Sequence, residues 1–321
     1  MVIMFNSYIR SCGSYLPEKI VTNDDLAKKV DTSDDWITKR TGIKKRHIAN
    51  EDQLTSHLAI NAAKNALKDI DVSQIDGVIL ATTTPDLTFP ATATKVASYL
   101  GIKGFAFDVQ AVCSGFVYAL NIANNFIKVG QNKNILVIGA ETLSKIVNWQ
   151  DRNTCVLFGD GAGAVVLSAT ENSDKGILST SLYADGNLNN ILNTDGGVGK
   201  NQQAGFIHME GKEVFRHAVD KMADCVVKSL DKINLKSADI DLLIPHQANE
   251  RILASVGKKL GLSSDKVISV VKDHANTSAA SIPLALDYAL KNNRVKENDI
   301  VVLEALGGGL TWGSIVIKWF N

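Results

Sequence analysis

The segment DVQAVCSGFVYALNIANNFIK, residues 108–128, begins with the pattern of a short buried strand and ends with the apolar spacing of a helix. Cys113 lies at the junction, followed by Ser114 and Gly115. A cysteine buried for packing needs no special position, whereas a thiol at the start of a helix can be made reactive. The segment therefore predicts a strand leading into a helix and makes Cys113 a candidate nucleophile.

The composition is that of a globular protein with a sizeable core. The chain has 321 residues, of which 45% are hydrophobic and 21% charged, and this length is typical of about two domains. Lys plus Arg and Asp plus Glu number 34 each, so the formal net charge is zero. A neutral chain argues against general binding to nucleic acid or to an anionic membrane.

The cysteine pattern and the absence of targeting segments bear on the compartment. The cysteines are Cys12, Cys113, Cys155 and Cys225, and no C-x-x-C pair occurs among them, so the pattern suggests neither a zinc ribbon nor a dithiol redox motif. The N-terminal residues lack a signal-peptide pattern, and no apolar stretch approaches the roughly 18 residues of a membrane helix. We expect a cytoplasmic protein with free thiols and no metal site.

Strand and helix patterns alternate along the chain. The strand patterns are IDGVILATTT (75–84), KNILVIGAE (133–141) and GAGAVVLSA (161–169). Helical spacing of apolar residues occurs at 54–70 and 114–130. This alternation predicts an α/β fold.

The second half of the chain repeats the first. Ile75 aligns with Ile240 (240 − 75 = 165), Ile135 with Ile300 (300 − 135 = 165), and Cys113 with Asn276 (276 − 113 = 163). We interpret this as a duplicated α/β unit with pseudo-twofold symmetry, divided into residues 1–170 and 171–321; the generic rhythm of α/β proteins is the alternative explanation. The repeat predicts that Cys113, Asn276 and His246 meet in one site.

Several motifs resemble one family of enzymes. The motifs DVQAVCSGF, FGDGAGAVVL, IPHQANERI, HANTSAASIP and LEALGGGLTWGS, in their order along the chain, resemble the β-ketoacyl-acyl-carrier-protein synthase III branch of the thiolase-like condensing enzymes. The resemblance implies a five-layered αβαβα fold, a homodimer and no permanently bound cofactor. It also implies a decarboxylative Claisen condensation, in which an acetyl-type primer from coenzyme A passes to the cysteine and then joins malonyl-acyl carrier protein.

The chemistry of three residues suits that reaction. A helix N-terminus lowers the pKa of a thiol by about 0.2–1.5, so we expect Cys113 to need further help from His246, as proton acceptor or as partner of the thiolate. His246 Nε2 and the Asn276 amide can donate hydrogen bonds to the oxygen that becomes negative when malonate loses carbon dioxide. The backbone N–H groups of Cys113 and Gly308 are expected to form the oxyanion hole for acyl transfer.

The same residues distinguish this branch from its relatives. Members of the thiolase branch show a Cys-His-Cys pattern of catalytic residues. No cysteine follows Cys225 here, so the second thiol of that pattern is missing, which argues against a non-decarboxylating thiolase. Ala275 stands where many members of the family have glycine. We expect the methyl group of Ala275 to be tolerated only if the backbone at this residue has a φ angle below zero.

The resemblance also implies residues that bind the substrates. Trp36 and Arg152 would hold the adenine of coenzyme A between an indole and a guanidinium, with Arg40 and Thr41 nearby, and Asn249 would bond the pantetheine arm. Phe89 resembles the residue that closes the acyl pocket of the partner subunit.

Acyl carrier protein is acidic, so its docking surface is expected to be basic. The candidates are Arg251, Lys258, Lys259 and Arg216. An ordinary solvated helix face is the alternative interpretation.

Two other functions stay open at this point. One is a related condensing enzyme of specialised metabolism, or a hydroxymethylglutaryl-type synthase, although the matching motifs contain no catalytic glutamate for the latter. The other is an inactive scaffold subunit, which typically lacks the nucleophile that Cys113 provides here.

Overall fold

The computed structural model describes residues 5–320. The strands are β1 (Asn6–Tyr15), β2 (Ile20–Thr22), β3 (Lys45–His47), β4 (Gly77–Ala81), β5 (Phe105–Val109), β6 (Asn134–Glu141), β7 (Gly161–Thr170), β8 (Gly176–Ala184), β9 (Leu192–Thr194), β10 (Ile207–Met209), β11 (Leu242–Pro245), β12 (Ile300–Gly307) and β13 (Thr311–Lys318). The helices are α1 (Asn23–Ala27), α2 (Asp34–Thr41), α3 (Thr55–Ala66), α4 (Thr92–Leu100), α5 (Gly115–Lys128), α6 (Arg152–Cys155), α7 (Val198–Asn201), α8 (Gly211–Asp231), α9 (Glu250–Lys259), α10 (Val271–His274) and α11 (Ser281–Lys291).

Two mixed sheets form the framework. The first has the strand order β1-β7-β6-β4-β5 and the second β8-β13-β12-β11. In the first sheet, β4 is parallel to both β5 and β6, and β6 is antiparallel to β7. In the second, the edge strand β11 is parallel to β12, and β12 is antiparallel to β13. β4 is buried along its whole length, as its continuous apolar sequence requires for a strand covered on both faces.

Helices separate and cover the sheets. α5 and α11 lie in the centre, where Leu120 and Leu286 share one apolar cluster with Val137 of the first sheet and Val301 of the second. α3 and α4 cover the outer face of the first sheet, and α8 and α9 that of the second. The five-layered αβαβα architecture expected from the sequence is confirmed.

The two sheets repeat the same local hydrogen bonds. Asp76 N donates to Asn134 O and Asp241 N to Ile300 O, and the two carboxylates accept bonds from the amides of Asn134 and Ile300 in turn. Asp76 therefore corresponds to Asp241 at the predicted offset, 241 − 76 = 165.

The predicted alignment is wrong by a few residues further along. Asn134 corresponds to Ile300, which is an offset of 166 and moves the partner of Ile135 to Val301. The turns before the central helices match at Val112 (φ 48°) and Ser278 (φ 49°), so Cys113 corresponds to Ala279 and not to Asn276. The residue with left-handed backbone determines where each helix begins, and in the second half this residue is Ser278. Asn276 therefore lies two residues before the position that matches Val112.

All strands of the first sheet lie before residue 171 and all strands of the second lie after residue 175, while β2 with β3 and β9 with β10 form two separate two-stranded sheets. A division into folding units at residues 170 and 171 stays a prediction. No helix within residues 5–320 combines the length and apolar character that crossing a bilayer requires. The described part of the chain also holds no group of three His, Cys, Asp or Glu suited to a metal ion.

Candidate active site

A cavity of about 770 Å³ opens where the two halves meet. Among its lining residues are most of those predicted from the sequence: Trp36, Arg40, Thr41, Cys113, His246, Asn249, Arg251, Asn276 and Gly308. Arg152, Phe89, Arg216, Lys258 and Lys259 are not among them. The thiol of Cys113, the imidazole of His246 and the amide of Asn276 come from separate parts of the chain and all line this cavity.

Cys113 lies in the single 3₁₀ turn that precedes α5. Its side chain is nearly closed off from solvent, and burial raises the pKa of the thiol to about 12, while Ser278 and the cysteine's own amide act in the opposite direction. The N-terminus of α5 therefore does not ionise the resting thiol, because its effect is smaller than the desolvation cost. Acylation requires a group that accepts the thiol proton.

The residue before the nucleophile has strained backbone geometry. Val112 is β-branched and adopts φ 48°, a conformation that is rare for such a side chain. The turn is held in place by Gly307, at which a Cβ atom would lie 2.7 Å from Cys113 N. The close approach of the 307–309 glycines to the nucleophile, expected from the sequence, is therefore present, and Gly308 lines the cavity.

His246 follows β11 and is held by two hydrogen bonds. Its backbone N–H donates to Glu304 O at 2.7 Å, and its Nδ1 lies 2.7 Å from Ser281 Oγ. Ser281 Oγ also accepts a bond from Gln247 N at 3.3 Å. When the serine hydroxyl donates to Nδ1, the imidazole proton is carried by Nε2.

Burial lowers the pKa of His246 to about 3. The imidazole is therefore neutral at physiological pH, which suits a hydrogen-bond donor and weighs against the expectation that His246 accepts the thiol proton. Ser281 was not selected from the sequence, although it lies in the HANTSAASIP motif.

Asn276 is fixed through its backbone and its side-chain oxygen. Its N–H donates to Leu157 O at 2.9 Å and its carbonyl accepts from Gly159 N at 3.0 Å. Its Oδ1 accepts from Ser278 N at 2.9 Å. The amide Nδ2 is consequently the group available to a ligand in the cavity.

The expectation for Ala275 is wrong. This residue has φ 59° and not a negative angle, a strained conformation that costs on the order of 1–3 kcal/mol. The methyl group is buried in an apolar cluster with Phe158 and Val271. A β-bridge between Phe158 and Asn276 fixes the backbone of the residue after Ala275. This pairing stabilises the strained conformation.

The predicted coenzyme A residues form a group beside the cavity. The guanidinium carbons of Arg40 and Arg152 lie 4.7 and 5.0 Å from the centre of the Trp36 ring, and Arg152 also donates to Asp31 O at 2.7 Å. Asn249 caps α9 through Oδ1, which accepts from Ile252 N at 3.0 Å.

The hydroxyl of Thr41 is already satisfied within α2 and its cap. It donates to Ile37 O at 2.7 Å and accepts from Ile43 N at 3.0 Å. Thr41 therefore contributes shape to the cavity wall.

The remaining predicted residues are on the surface. Phe89 is 82% exposed and its neighbour Leu87 60%. Arg216 pairs with Glu213 at 2.6 Å and Lys259 with Asp220, while Lys258 is exposed on α9. Arg251 both lines the cavity and lies over the Phe215 ring.

Comparisons with known proteins identify related sequences. Models of the family "3-Oxoacyl-[acyl-carrier-protein (ACP)] synthase III" match residues 107–186, and its C-terminal model matches residues 230–319. A curated β-ketoacyl-[acyl-carrier-protein] synthase III of Paramagnetospirillum magneticum is 57% identical over 98% of this chain and 100% of its own length.

Solved structures agree with these relatives. The 3-oxoacyl-[acyl-carrier-protein] synthase III of Aquifex aeolicus is 47% identical with a TM-score of 0.93, covering 98% of this chain and 100% of its own. The priming β-ketosynthase of the R1128 polyketide biosynthetic pathway has the same TM-score of 0.93 at 30% identity, covering 99% of this chain and 97% of its own.

Proposed function

Because the chain belongs to the β-ketoacyl-acyl-carrier-protein synthase III family, whose members are condensing acyltransferases of fatty-acid synthesis, we propose that it joins an acetyl primer from acetyl-CoA to malonyl-acyl carrier protein and releases carbon dioxide. The observation that supports this most strongly is the presence of Cys113, His246 and Asn276 in one cavity. Each donor has one side-chain atom held by the fold, Nδ1 of His246 and Oδ1 of Asn276, and one nitrogen left for a ligand, Nε2 and Nδ2.

In the first half-reaction, Cys113 Sγ attacks the thioester carbonyl of the primer. The negative charge on the carbonyl oxygen is stabilised by the N–H groups of Cys113 and Gly308. Coenzyme A then leaves as a thiol, and the acetyl group stays on the cysteine. The net exchange of one thioester for another requires no cofactor.

In the second half-reaction, malonyl-acyl carrier protein loses carbon dioxide. His246 Nε2–H and Asn276 Nδ2–H donate to the thioester oxygen that becomes negative. The carbon that carried the carboxylate attacks the acetyl carbonyl, and Cys113 leaves as the thiolate to give a 3-oxoacyl product. Since burial keeps His246 neutral, it donates without holding a net charge.

The coenzyme A residues are proposed to act as a clamp. The guanidinium groups of Arg40 and Arg152 both contact the Trp36 ring, so an adenine between Trp36 and Arg152 requires the Arg152 guanidinium to leave the indole face. In its present position the Arg152 guanidinium is also held by a hydrogen bond to the Asp31 carbonyl. Asn249 Nδ2 is proposed to bond the pantetheine arm.

Acyl carrier protein is proposed to dock on the basic surface formed by Arg251, Lys258, Lys259 and Arg216. The ion pairs of Lys259 and Arg216 involve exposed side chains, and exposed pairs contribute only about 0–1 kcal/mol. An acidic partner can therefore replace them at small cost.

We also propose a homodimer in which Phe89 closes the acyl pocket of the partner subunit. The apolar side chains of Phe89 and Leu87 support this, since both are mostly exposed on their own subunit. A cytoplasmic location is proposed because coenzyme A substrates occur there and because all four cysteines are free thiols.

The curated relatives favour fatty-acid synthesis over specialised metabolism, because they are 52–57% identical while the polyketide ketosynthase is 30% identical. A scaffold function is disfavoured by the intact set of thiol, imidazole and amide.

Intact-mass spectrometry after incubation with acetyl-CoA tests the proposal. We expect one acetyl group on the wild-type chain and none on Cys113→Ser. Cys12→Ser is the matched control, because Cys12 is more exposed than Cys113 and its loss should leave the adduct unchanged. An unmodified wild-type chain would support the scaffold function instead.

A further inference from the structure

A buried arginine that the mechanism above does not use joins three segments beside the cavity. Arg46 is on β3 and has no solvent exposure. Its Nη1 donates to Val21 O at 3.2 Å, and its Nη2 donates to Asn23 Oδ1 at 2.9 Å and to Val156 O at 3.0 Å. Burial lowers the pKa of Arg46 to about 10, so the guanidinium stays charged at physiological pH. All three partners are neutral oxygens, so this charge is costly to bury and its retention calls for a function.

One of these hydrogen bonds leads to helix α2. The guanidinium can only donate, so the buried amide of Asn23 must turn its Oδ1 towards Arg46 and its Nδ2 away from it. Asn23 Nδ2 then donates to Asp34 Oδ1 at 2.9 Å and to Ile43 O at 2.7 Å. Asp34 is the first residue of α2, and Ile43 lies two residues after its end. Arg46 therefore fixes, through one amide, both ends of the helix that carries Trp36.

Another hydrogen bond leads to Asn276. Arg46 holds the carbonyl of Val156, and the next residues pair with the backbone of Asn276: Leu157 O accepts from Asn276 N at 2.9 Å, and Gly159 N donates to Asn276 O at 3.0 Å. The arginine stem lies directly against this segment, since a Cβ atom at Gly159 would be 3.1 Å from Arg46 Cβ. The 156–159 segment is thus held between Arg46 and Asn276.

We propose that Arg46 is a positioning residue that holds helix α2, assigned to the nucleotide of coenzyme A, and the Asn276 donor, assigned to decarboxylation, in fixed places around one cavity; this rests on the proposed function. Arg46 contacts neither substrate and acts through Asn23 and Val156. A planar guanidinium suits this role because its five donors point in fixed directions and can bond several segments at once.

Arg46→Lys tests the proposal, because lysine keeps the charge and the aliphatic stem but loses the planar fork. In single-turnover acylation, the acetyl-CoA concentration that gives half the maximal rate should rise roughly 10-fold. The maximal rate should stay within about 3-fold of wild type, because acylation uses Cys113 and backbone N–H groups. Carbon dioxide release from saturating malonyl-acyl carrier protein should fall by roughly 10- to 100-fold, because the Asn276 donor is displaced.

Asn23→Ala separates the two connections, because it removes the link to α2 and leaves the bond between Arg46 and Val156. It should raise the half-saturating acetyl-CoA concentration as Arg46→Lys does, without slowing carbon dioxide release. S-acetyl-pantetheine lacks the nucleotide, so its half-saturating concentration should be the same for wild type and both variants. A general loss of stability would not distinguish between these substrates.

Ser7→Ala is the matched control, because Ser7 is equally buried and donates to Asn124 Oδ1 at 2.8 Å between β1 and α5. It removes a buried hydrogen bond outside the Arg46 network and should leave both half-reactions unchanged.

The proposal is overturned if folded Arg46→Lys, or Asn23→Ala where the former does not fold, keeps the half-saturating acetyl-CoA concentration within about 3-fold of wild type. An equal rise with S-acetyl-pantetheine, or unchanged carbon dioxide release in Arg46→Lys, also overturns it. Failure of the proposed function is a different result, namely no adduct on the wild type at any acetyl-CoA concentration.

Discussion

At the scale of single residues, burial determines the chemistry of the site. The same loss of water raises the pKa of the Cys113 thiol and lowers that of the His246 imidazole, since each group then avoids its charged form. Both groups are neutral at rest. The cavity is therefore suited to stabilise charge that develops on a substrate during the reaction. It does not rely on a permanent ion pair between a thiolate and an imidazolium.

Asn276→Ala tests the division of work between the two half-reactions. We expect the variant to acquire the acetyl group normally but to decarboxylate malonyl-acyl carrier protein roughly 100- to 1000-fold more slowly, because one oxyanion donor is lost. Carbon dioxide release and the acetyl adduct can be measured on the same preparation, so each half-reaction is the control for the other. Equal loss of both would contradict the assigned role.

At the scale of single elements, β12 departs from the alternation of a buried strand. Val302 and Leu306 face the outer layer together with Glu304, whose carboxyl oxygens both lack a partner. Burial raises the pKa of Glu304 to about 8. The strand therefore carries a neutral carboxyl group where its pattern calls for an apolar side chain.

Glu304→Gln should change how stability depends on pH. In the wild type, the unfolded chain releases this proton above about pH 4.5 and the folded chain only near pH 8, so stability falls as pH rises between these values. Glutamine does not titrate, and the variant should gain about 3 kcal/mol relative to wild type between pH 5.5 and 8.

Urea denaturation of both proteins at the two pH values measures the difference. Glu141, whose pKa burial raises to about 7, is present in both chains, so its own titration cancels in the comparison. A stability difference that is the same at both pH values would show that Glu304 does not titrate in this range.

At the scale of the whole molecule, the first sheet ends in an uncovered edge. β5 is the outermost strand and is only partly buried along its length. Phe105 and Phe107 lie on it with ring centres 5.8 Å apart, and exposed Phe89 belongs to the loop between β4 and α4. An apolar edge strand is a site for pairing with another chain unless something covers it.

Phe107→Asp should therefore convert a dimer into a monomer. A carboxylate at the pairing edge is costly to bury in the interface, and sedimentation velocity should detect the halved mass. Val227→Asp is the control, because Val227 is exposed on α8, away from this edge. A wild-type monomer, or a Phe107→Asp dimer, would contradict the proposed assembly.

Much of the architecture followed from patterns that are local in the chain. The apolar runs of β4, β6 and β7 and the helical spacing of α3 and α5 predicted these elements within a few residues. Motif resemblance then selected Cys113, His246 and Asn276, which line one cavity. The offset between the halves was less accurate, since it depends on where left-handed residues such as Val112 and Ser278 occur.

The sequence by itself determined the alternation of strands and helices, the repeat and the choice of candidate reactive groups, because periodicity and residue type are properties of neighbours along the chain. Only the tertiary structure decided their protonation, the hydrogen bonds that hold His246 and Asn276, the left-handed backbone at Ala275 and the burial of Glu141 at the end of β6. These features depend on which groups lose water together when distant segments pack, and desolvation is determined by the surroundings in space.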